Sequence, residues 1–325
     1  MATSPEILNE LFVESLDSPE DRAKLAMSTS SYIRQRMREV SFSRKIMMPQ
    51  PITKAECQRS VNHDQLVKVV DLEPNSVAME INFRGAPDSE YIMGERYEIA
   101  FYGISSREYQ KVEEELLAYE MPLTEIIENN SLKDLHAIED QGFISRVEDA
   151  VALSGKYENS TAYNTNNNEL DPMLFVRLFN LLENSSTVGS TSLKNSAGST
   201  IYEHDFDARR YDCSVILMNR EDYNKILLWR ADDRGNAIAE NTTVNGWTYT
   251  TIFGKDLIVT NKGELVPPGT MYGFTPKQYM GHAYILGDVK FWIEKKRNLI
   301  SWSLYEIIGM GIGNAYSMAK VYWTN

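Results

Sequence analysis

Residues 131–153 read "SLKDLHAIEDQGFISRVEDAVAL", and the assignment of this stretch governs everything around it. Leu132, Leu135, Ile138, Phe143, Ile144, Val147 and Val151 recur at helical spacing, while Lys133, Asp134, Glu139, Asp140, Arg146 and Glu148 take the other faces. The pattern predicts an amphipathic bar about 35 Å long at roughly 1.5 Å per residue. A face made of Ile144, Val147 and Val151 is expected to bury against a sheet, with Glu148 pointing elsewhere. His136 and Asp140 stand at i,i+4 on the bar and read as part of a charged helix face rather than as a ligand pair.

Upstream of the bar the period changes from helical to two. "LVKVVDL" (66–72) and "VAMEINF" (77–83) flank "EPNS", whose Pro74 and Asn75 are hairpin-turn chemistry. After the Gly/Pro/Asp punctuation of "RGAPDSEYIMG", a further strand is expected in "RYEIAFYGI" (96–104). Residues 45–104 thus read as long antiparallel ribbons, and a two-stranded ribbon is marginal alone in water, so it must lean on something else. Before the ribbon, "SPEILNELFVESL" and "SPEDRAKLAMSTSSYIRQRMREV" share one grammar, Ser as N-cap followed by Pro and Glu. They predict helices over 5–15 and 19–39, expected, like the ribbon, to find their partners on neighbouring chains.

Downstream, "SGKYENSTAYNTNNNEL" and "NSSTVGSTSLKNSAGST" read as loop. Between them Asp171 and Pro172 open a helix ending near Glu183. "CSVILMN" predicts a buried strand, "REDYNKILLWRADDRGN" a helix and turn, and "GWTYTTIFGKDLIVTNK" paired strands. "HAYILGDVKFWIEKKRNLISWSLYEII" predicts long strands, and "GNAYSMAKVYWTN" a final strand or bent pair.

Composition narrows the classes of function. The 325 residues carry 46 acids against 33 bases, a formal charge of −13, which disfavours gripping phosphate backbones or a polybasic membrane contact. Two cysteines, Cys57 and Cys213, are too few for a disulfide framework and read as reduced structural thiols. The opening "MATSPEILNELFVESLDSPE" has no basic region followed by an apolar core, so synthesis in the cytosol is the expectation. No apolar run approaches the roughly 20 residues that span a bilayer.

Chemistry is sparse. "GMGIGNA" (309–315) lacks the third glycine of a dinucleotide fingerprint and any following helix, second strand or ribose-binding acid, so its glycines read as marks of a bend or close backbone approach. His204, Asp205 and Asp207 in "YEHDFDARRYD" are the best metal candidates, but a solvated acidic turn neutralised by Arg209 and Arg210 explains them better. No nucleophile elbow, phosphate loop or Cys-His pair is present, and neither catalysis nor a cofactor is expected.

The order of parts is the distinctive signal: helical arm, ribbon, acidic stretch, bar helix, then a mixed body ending in long strands. Over nearly the whole chain it resembles the major capsid proteins of tailed bacteriophages, a fold shared with encapsulins and herpesvirus shells. The resemblance rests on "MREVSFSRKIMMPQPIT" before the ribbon, the run from Glu95 to Leu153 through the bar, "YDCSVILMNREDYNKILLW" in the body and the closing run from Val289 to Trp323.

It implies an α+β fold with an N-terminal arm (1–44), an extended β-hairpin loop (45–104), a peripheral domain (105–205) whose spine is the bar, and a mainly axial α/β domain (206–325). The closing strands, about 285–310, are expected to return to the peripheral domain. By the same resemblance Lys68, Val69, Ile81, Phe83 and Arg84 become inter-subunit contacts, and the function is structural. Copies would meet as pentamers and hexamers in an icosahedral shell, the virion capsid, assembled in a bacterial cytoplasm around double-stranded DNA held only non-specifically. A scaffolding protein, a portal and decoration proteins are the further candidate partners. The alternatives are an encapsulin-like compartment and a soluble metal-dependent hydrolase using the His204–Asp207 cluster.

Overall fold

A computed structural model describes residues 5–60, 64–72, 95–117, 123–160, 170–183, 212–226 and 251–323. Helices α1 (Pro5–Ser15) and α2 (Pro19–Val40) each begin on their proline, whose missing N–H is an orphan at a helix start in any case. Next come α3 (Phe42–Ile46), β1 (Gln50–Pro51), β2 (Gln58–Arg59), β3 (Leu66–Leu72), β4 (Glu95–Ser105), β5 (Tyr109–Val112), α4 (Glu113–Leu117) and α5 (Leu123–Ser154). Beyond them lie β6 (Tyr157–Asn159), α6 (Pro172–Glu183), β7 (Val215–Asn219), α7 (Arg220–Ile226), β8 (Thr251–Ile252) and β9 (Lys255–Thr260). The chain closes with β10 (Thr270–Phe274), β11 (Gly281–Lys296), β12 (Leu299–Ile312) and β13 (Met318–Tyr322). The fold is mixed α+β, in two compact units: residues 1–68, 99–145 and 282–311, and residues 69–98, 146–281 and 312–325.

The long helix α5 has 32 residues, about 48 Å at roughly 1.5 Å per residue, and starts eight residues before the predicted bar. Ile127, Ser131 and Leu135 are all buried, so the i,i+4 stripe runs back through the small Ser131 into the acidic stretch. Ile144, Val147 and Val151 are buried as expected, while Ile138 is exposed. The helix stops at Gly155, whose φ of 68° favours glycine and whose N–H reaches the carbonyl of Val151 at 3.0 Å.

In the sheet of the first unit the order is β1-β11-β12-β4-β3-β2, with β5 also on β12. β12 runs antiparallel to β4 (Tyr305↔Ser105 to Gly309↔Phe101) and to β5 (Leu299↔Val112 to Trp302↔Tyr109). A Cβ at Gly309 would come within 2.9 Å of the Phe101 ring, so this glycine of "GMGIGNA" does mark close approach of a neighbouring strand. The core joins Phe12, Val13 and Leu16 of α1 to Ile104, Ile127, Leu135, Phe291, Leu304 and Ile308. The N-terminal helices therefore have partners within their own chain, contrary to expectation: the i,i+1,i+4 stripe of α1 is apolar enough to join the core. From α2, Ser30 Oγ accepts the Phe291 N–H at 2.9 Å, serving a donor of β11 from outside the strand ladder.

Ribbon strand β3 appears where "LVKVVDL" predicts it, antiparallel to β2 and beside β4. Its expected hairpin partner, "VAMEINF", lies outside the described residues.

In the second unit the sheet order is β6-β13-β10-β7-β9-β8, with β7 parallel to β9 and β10 antiparallel to β7 and β13. Helix α6 starts as its sequence dictates, Asp171 Oδ1 accepting the N–H of Met173 at 3.0 Å. Its Leu174, Phe175, Leu178 and Leu182 pack with Ile216, Met218, Val321 and Trp323. The Asn-rich stretch expected to be loop opens instead with β6, parallel to β13. An edge strand held by backbone bonds, such as Ser160 N–H to Tyr322 O at 2.8 Å, needs no apolar alternation to form. Among the described residues no helix is long and apolar enough to cross a membrane.

Candidate functional site

Among the described residues a buried polar site lies in the first unit, where "SFSR" (41–44) meets α5 and β12. Ser41 caps α3 and its hydroxyl also donates to Asp140 Oδ1 at 2.7 Å, an oxygen that accepts the Ser43 N–H at 3.0 Å as well. One turn along, Arg44 Nε donates to both carboxylate oxygens of Glu139, at 3.0 and 2.9 Å, and its Nη2 donates to Glu306 Oε1 at 2.6 Å. Arg44 is 5 % exposed, Glu139 1 %, and Asp140 and Glu306 0 %. Burial pulls the Arg44 guanidinium downward, but Glu139 and Glu306 outweigh it and the net direction is up. Burial pushes the Glu139 carboxyl up to about 7; Arg44 opposes this, and Glu306 and Asp140 reinforce it.

Glu139 and Asp140 thus do not lie on a solvated face, and the reading of Asp140 with His136 as surface charge is corrected. The missed signal was positional. Glu139 is four residues from both Leu135 and Phe143, which are buried, and Glu306 alternates with buried Leu304, Ile308 and Met310. A charge at a core-facing position needs an internal partner, and Arg44 directly after a Ser-x-Ser cap supplies it.

A second cluster belongs to the second unit. Glu148 accepts from Tyr272 Oη, and Lys320 Nζ donates to its Oε1 at 2.7 Å and Oε2 at 3.0 Å. Burial, then the bond to Glu148, drives the Tyr272 phenol upward. Glu148 was expected to point away into solvent. It is half-exposed but tied to β10 and β13, because one step of 100° from Val147 leaves it at the rim of the buried stripe rather than opposite it.

Of the expected inter-subunit contacts, Lys68 and Val69 sit half-buried on β3, and Ile81, Phe83 and Arg84 lie outside the described residues. So do His204, Asp205 and Asp207; among the described residues no group of three His, Cys, Asp or Glu side chains could hold a metal ion. Cys57 and Cys213 are free thiols; Cys213 is buried in the second core, and that burial pushes it up to about 12. What both polar clusters do is lock elements distant in sequence into fixed positions.

No protein-family model matches the chain, and no curated protein matches it by sequence. Solved structures do match in fold. A chain of the capsid of the cyanophage P-SCSP1u superposes with a TM-score of 0.59 at 9 % identity, over 88 % of this chain and 89 % of that one. A chain from the Microbacterium phage Oxtober96 gives 0.56 at 8 % identity, over 87 % and 91 %. A chain from the capsid of the native GTA particle gives 0.52 at 10 % identity, over 87 % and 90 %. The present chain is therefore similar in fold, almost from end to end, to chains that build phage and GTA capsids.

Proposed function

We propose that this chain is the major capsid protein of a tailed bacteriophage, acting by assembly rather than turnover: many copies close into an icosahedral shell around double-stranded DNA. The observation that carries this reading is the end-to-end fold likeness, 88 % of this chain on 89 % of the cyanophage capsid chain. The two polar clusters, which tie elements distant in sequence to one another, are compatible with a structural role.

In this reading α5 is the spine of a peripheral domain spanning 105–205. The inclusion of 99–145 and 282–311 in one compact unit supports the return of strands 285–310 to the first part of that domain, 105–145, while 146–205 fall in the other unit. Residues 1–44 form the arm, 45–104 the extended loop reaching a neighbouring copy, and 206–325 mainly the axial domain at pentamer and hexamer centres. Lys68 and Val69 on β3, with Ile81, Phe83 and Arg84, make contact across subunits. The formal charge of −13 keeps DNA contacts weak and non-specific, easing the sliding of packed DNA. The protein's place is the virion, and a scaffold, a portal and decoration proteins are its further partners.

Size-exclusion chromatography with light scattering tests the reading. Capsomers or megadalton particles are expected, and a strict monomer at every concentration and salt, with or without a scaffold partner, contradicts it.

A further inference from the structure

The outer edge of β11 is long and nearly bare of strand. On one side β11 pairs with β12; on the other, among the described residues, its neighbour is β1, which meets only Tyr284 and Ile285 of its 16 residues. Beyond that point "GDVKFWIEK" (287–295) holds Val289, Phe291, Trp292 and Ile293 and no proline, the composition of an edge that another strand can join. The segment preceding and including β1, in the same compact unit, occupies the edge instead. Lys295 Nζ donates to Asp17 in the α1–α2 turn at 2.6 Å, the Phe291 N–H to Ser30 Oγ in α2 at 2.9 Å, and the Ile52 N–H to Ile285 O at 2.9 Å. As the chain advances from 17 to 52, its fixing points step back along β11 from 295 to 285, about 33 Å at roughly 3.3 Å per residue.

We propose that residues 17–52 are an edge guard: they occupy the free edge of β11 and deny it to the same strand of a second copy of this chain. Backbone groups alternate along a strand, so Ile285 and Phe291, an even number of residues apart, present theirs to one edge, with Gly287 and Val289 between them. Two such bare edges are self-complementary, because antiparallel pairing relates like strands by a twofold axis. A helix laid there fills the space of the incoming strand and offers no new edge in exchange. The guard belongs to the single chain and stands whether or not copies close into a shell. It restricts copies to meeting by other surfaces than a continued β11 sheet.

Ser30 suits its position. Its hydroxyl gives its proton to the Ala26 carbonyl at 2.7 Å, which leaves a lone pair for the strand N–H. Leu25 and Ala26 of the same helix pack against the core of the first unit, and Thr29 is buried. The Lys295 contact marks position more than strength, since the Asp17 side chain is 67 % exposed and such pairs contribute little. The grip comes from Phe12, Val13 and Leu16 in the core and from Ser30 on the edge. Ser30 is therefore the place where the cover opens without emptying the core.

Hydrogen exchange on the unassembled full-length chain tests the occupancy of the edge. The Phe291 amide is expected to be protected in the native chain, and Ser30→Ala to speed its exchange by up to about tenfold, the scale of one lost hydrogen bond. The alternate amides of Lys290 and Trp292, which face β12, should keep their native rates. Ser30→Pro then breaks α2 at the edge itself. At concentrations where the native chain is unassembled and lacks the infrared band of intermolecular sheet, this variant should associate and show that band. Adding Trp292→Lys, a charge on the bare edge strand, should suppress it. If the proline variant does not fold, Ser30→Gly, a milder break, takes its place with the same outcomes. A Phe291 amide that exchanges freely in the native chain overturns the proposal. So does a broken α2 that leaves the Phe291 amide exposed without any intermolecular sheet, or association that Trp292→Lys leaves unchanged.

Discussion

Lys156 Nζ donates to the carbonyl oxygen of Leu182 at 2.7 Å, so the lysine just past the end of α5 closes the last turn of α6. The side chain is fully buried, and that burial holds the ammonium below the usual lysine range, at about 8. A cation at a helix C-terminus satisfies an orphan carbonyl and complements the helix dipole. Lys156→Met should cost about 1–3 kcal/mol near neutral pH by leaving that carbonyl buried without its donor. Between about 8 and the ordinary 10.5 the unfolded chain binds more protons than the folded one, so this group raises stability as pH climbs through that window. Urea melts of the native chain should show the rise, and melts of the Met variant should lack it.

Arg44→Met should be among the most damaging single changes in the first unit. It removes the one guanidinium between Glu139 and Glu306, and breaking a buried pair from one side costs roughly 3–5 kcal/mol. Replacing Arg44, Glu139 and Glu306 together by Met or Leu should recover much of that loss, because it removes the buried charges as well. Denaturant midpoints of the single and triple variants check this, and equal losses in both would contradict it.

On α5 the neighbours Val147 and Glu148 should respond differently. Val147 is 0 % exposed, so Val147→Asp puts a carboxylate into a packed core at a cost of several kcal/mol, about 3 or more. Glu148→Ala removes the acceptor of Tyr272 and Lys320 and should cost about 1 kcal/mol, reduced by its partial exposure to water. Thermal melts in which Glu148→Ala is indistinguishable from the native chain would show that this cluster contributes nothing.

The elements were legible where one physical signal dominated. Ser-Pro-Glu starts fixed α1 and α2, Asp171–Pro172 fixed α6, and alternation fixed β3 and β4. Position in three dimensions was not legible in the same way. The rule that charges face solvent put Glu139 and Asp140 outside, whereas their spacing from Leu135, Phe143 and Ile144 put them inside. Spacing prevailed because Arg44, Ser41 and Ser43, almost a hundred residues earlier, supply the internal partners that burial demands. No local window contains both halves of that cluster. β6 was missed for a related reason: its partner β13 lies at the far end of the chain, and its pairing is through the backbone.

The ribbon separates folding from assembly. Val69 is half-buried on β3, and Ile81 belongs to the alternating run that follows. Val69→Asp combined with Ile81→Asp should abolish large particles while lowering the subunit melting temperature by only a few degrees, about 1 kcal/mol for a chain of this size. Light scattering and melts on the same preparations separate the two effects. A loss of stability matching that of Val147→Asp would assign the ribbon to the subunit's own core.

Copies of this chain are expected to close into a shell. Electron microscopy of the purified protein, alone and co-expressed with the neighbouring genes of its source genome, tests it most directly. Closed, thin-walled icosahedral particles are expected, in which α5 is resolved as a long rod in the shell wall. Uniform small particles of one or two subunits under every condition, with no shells and no capsomers, would contradict it.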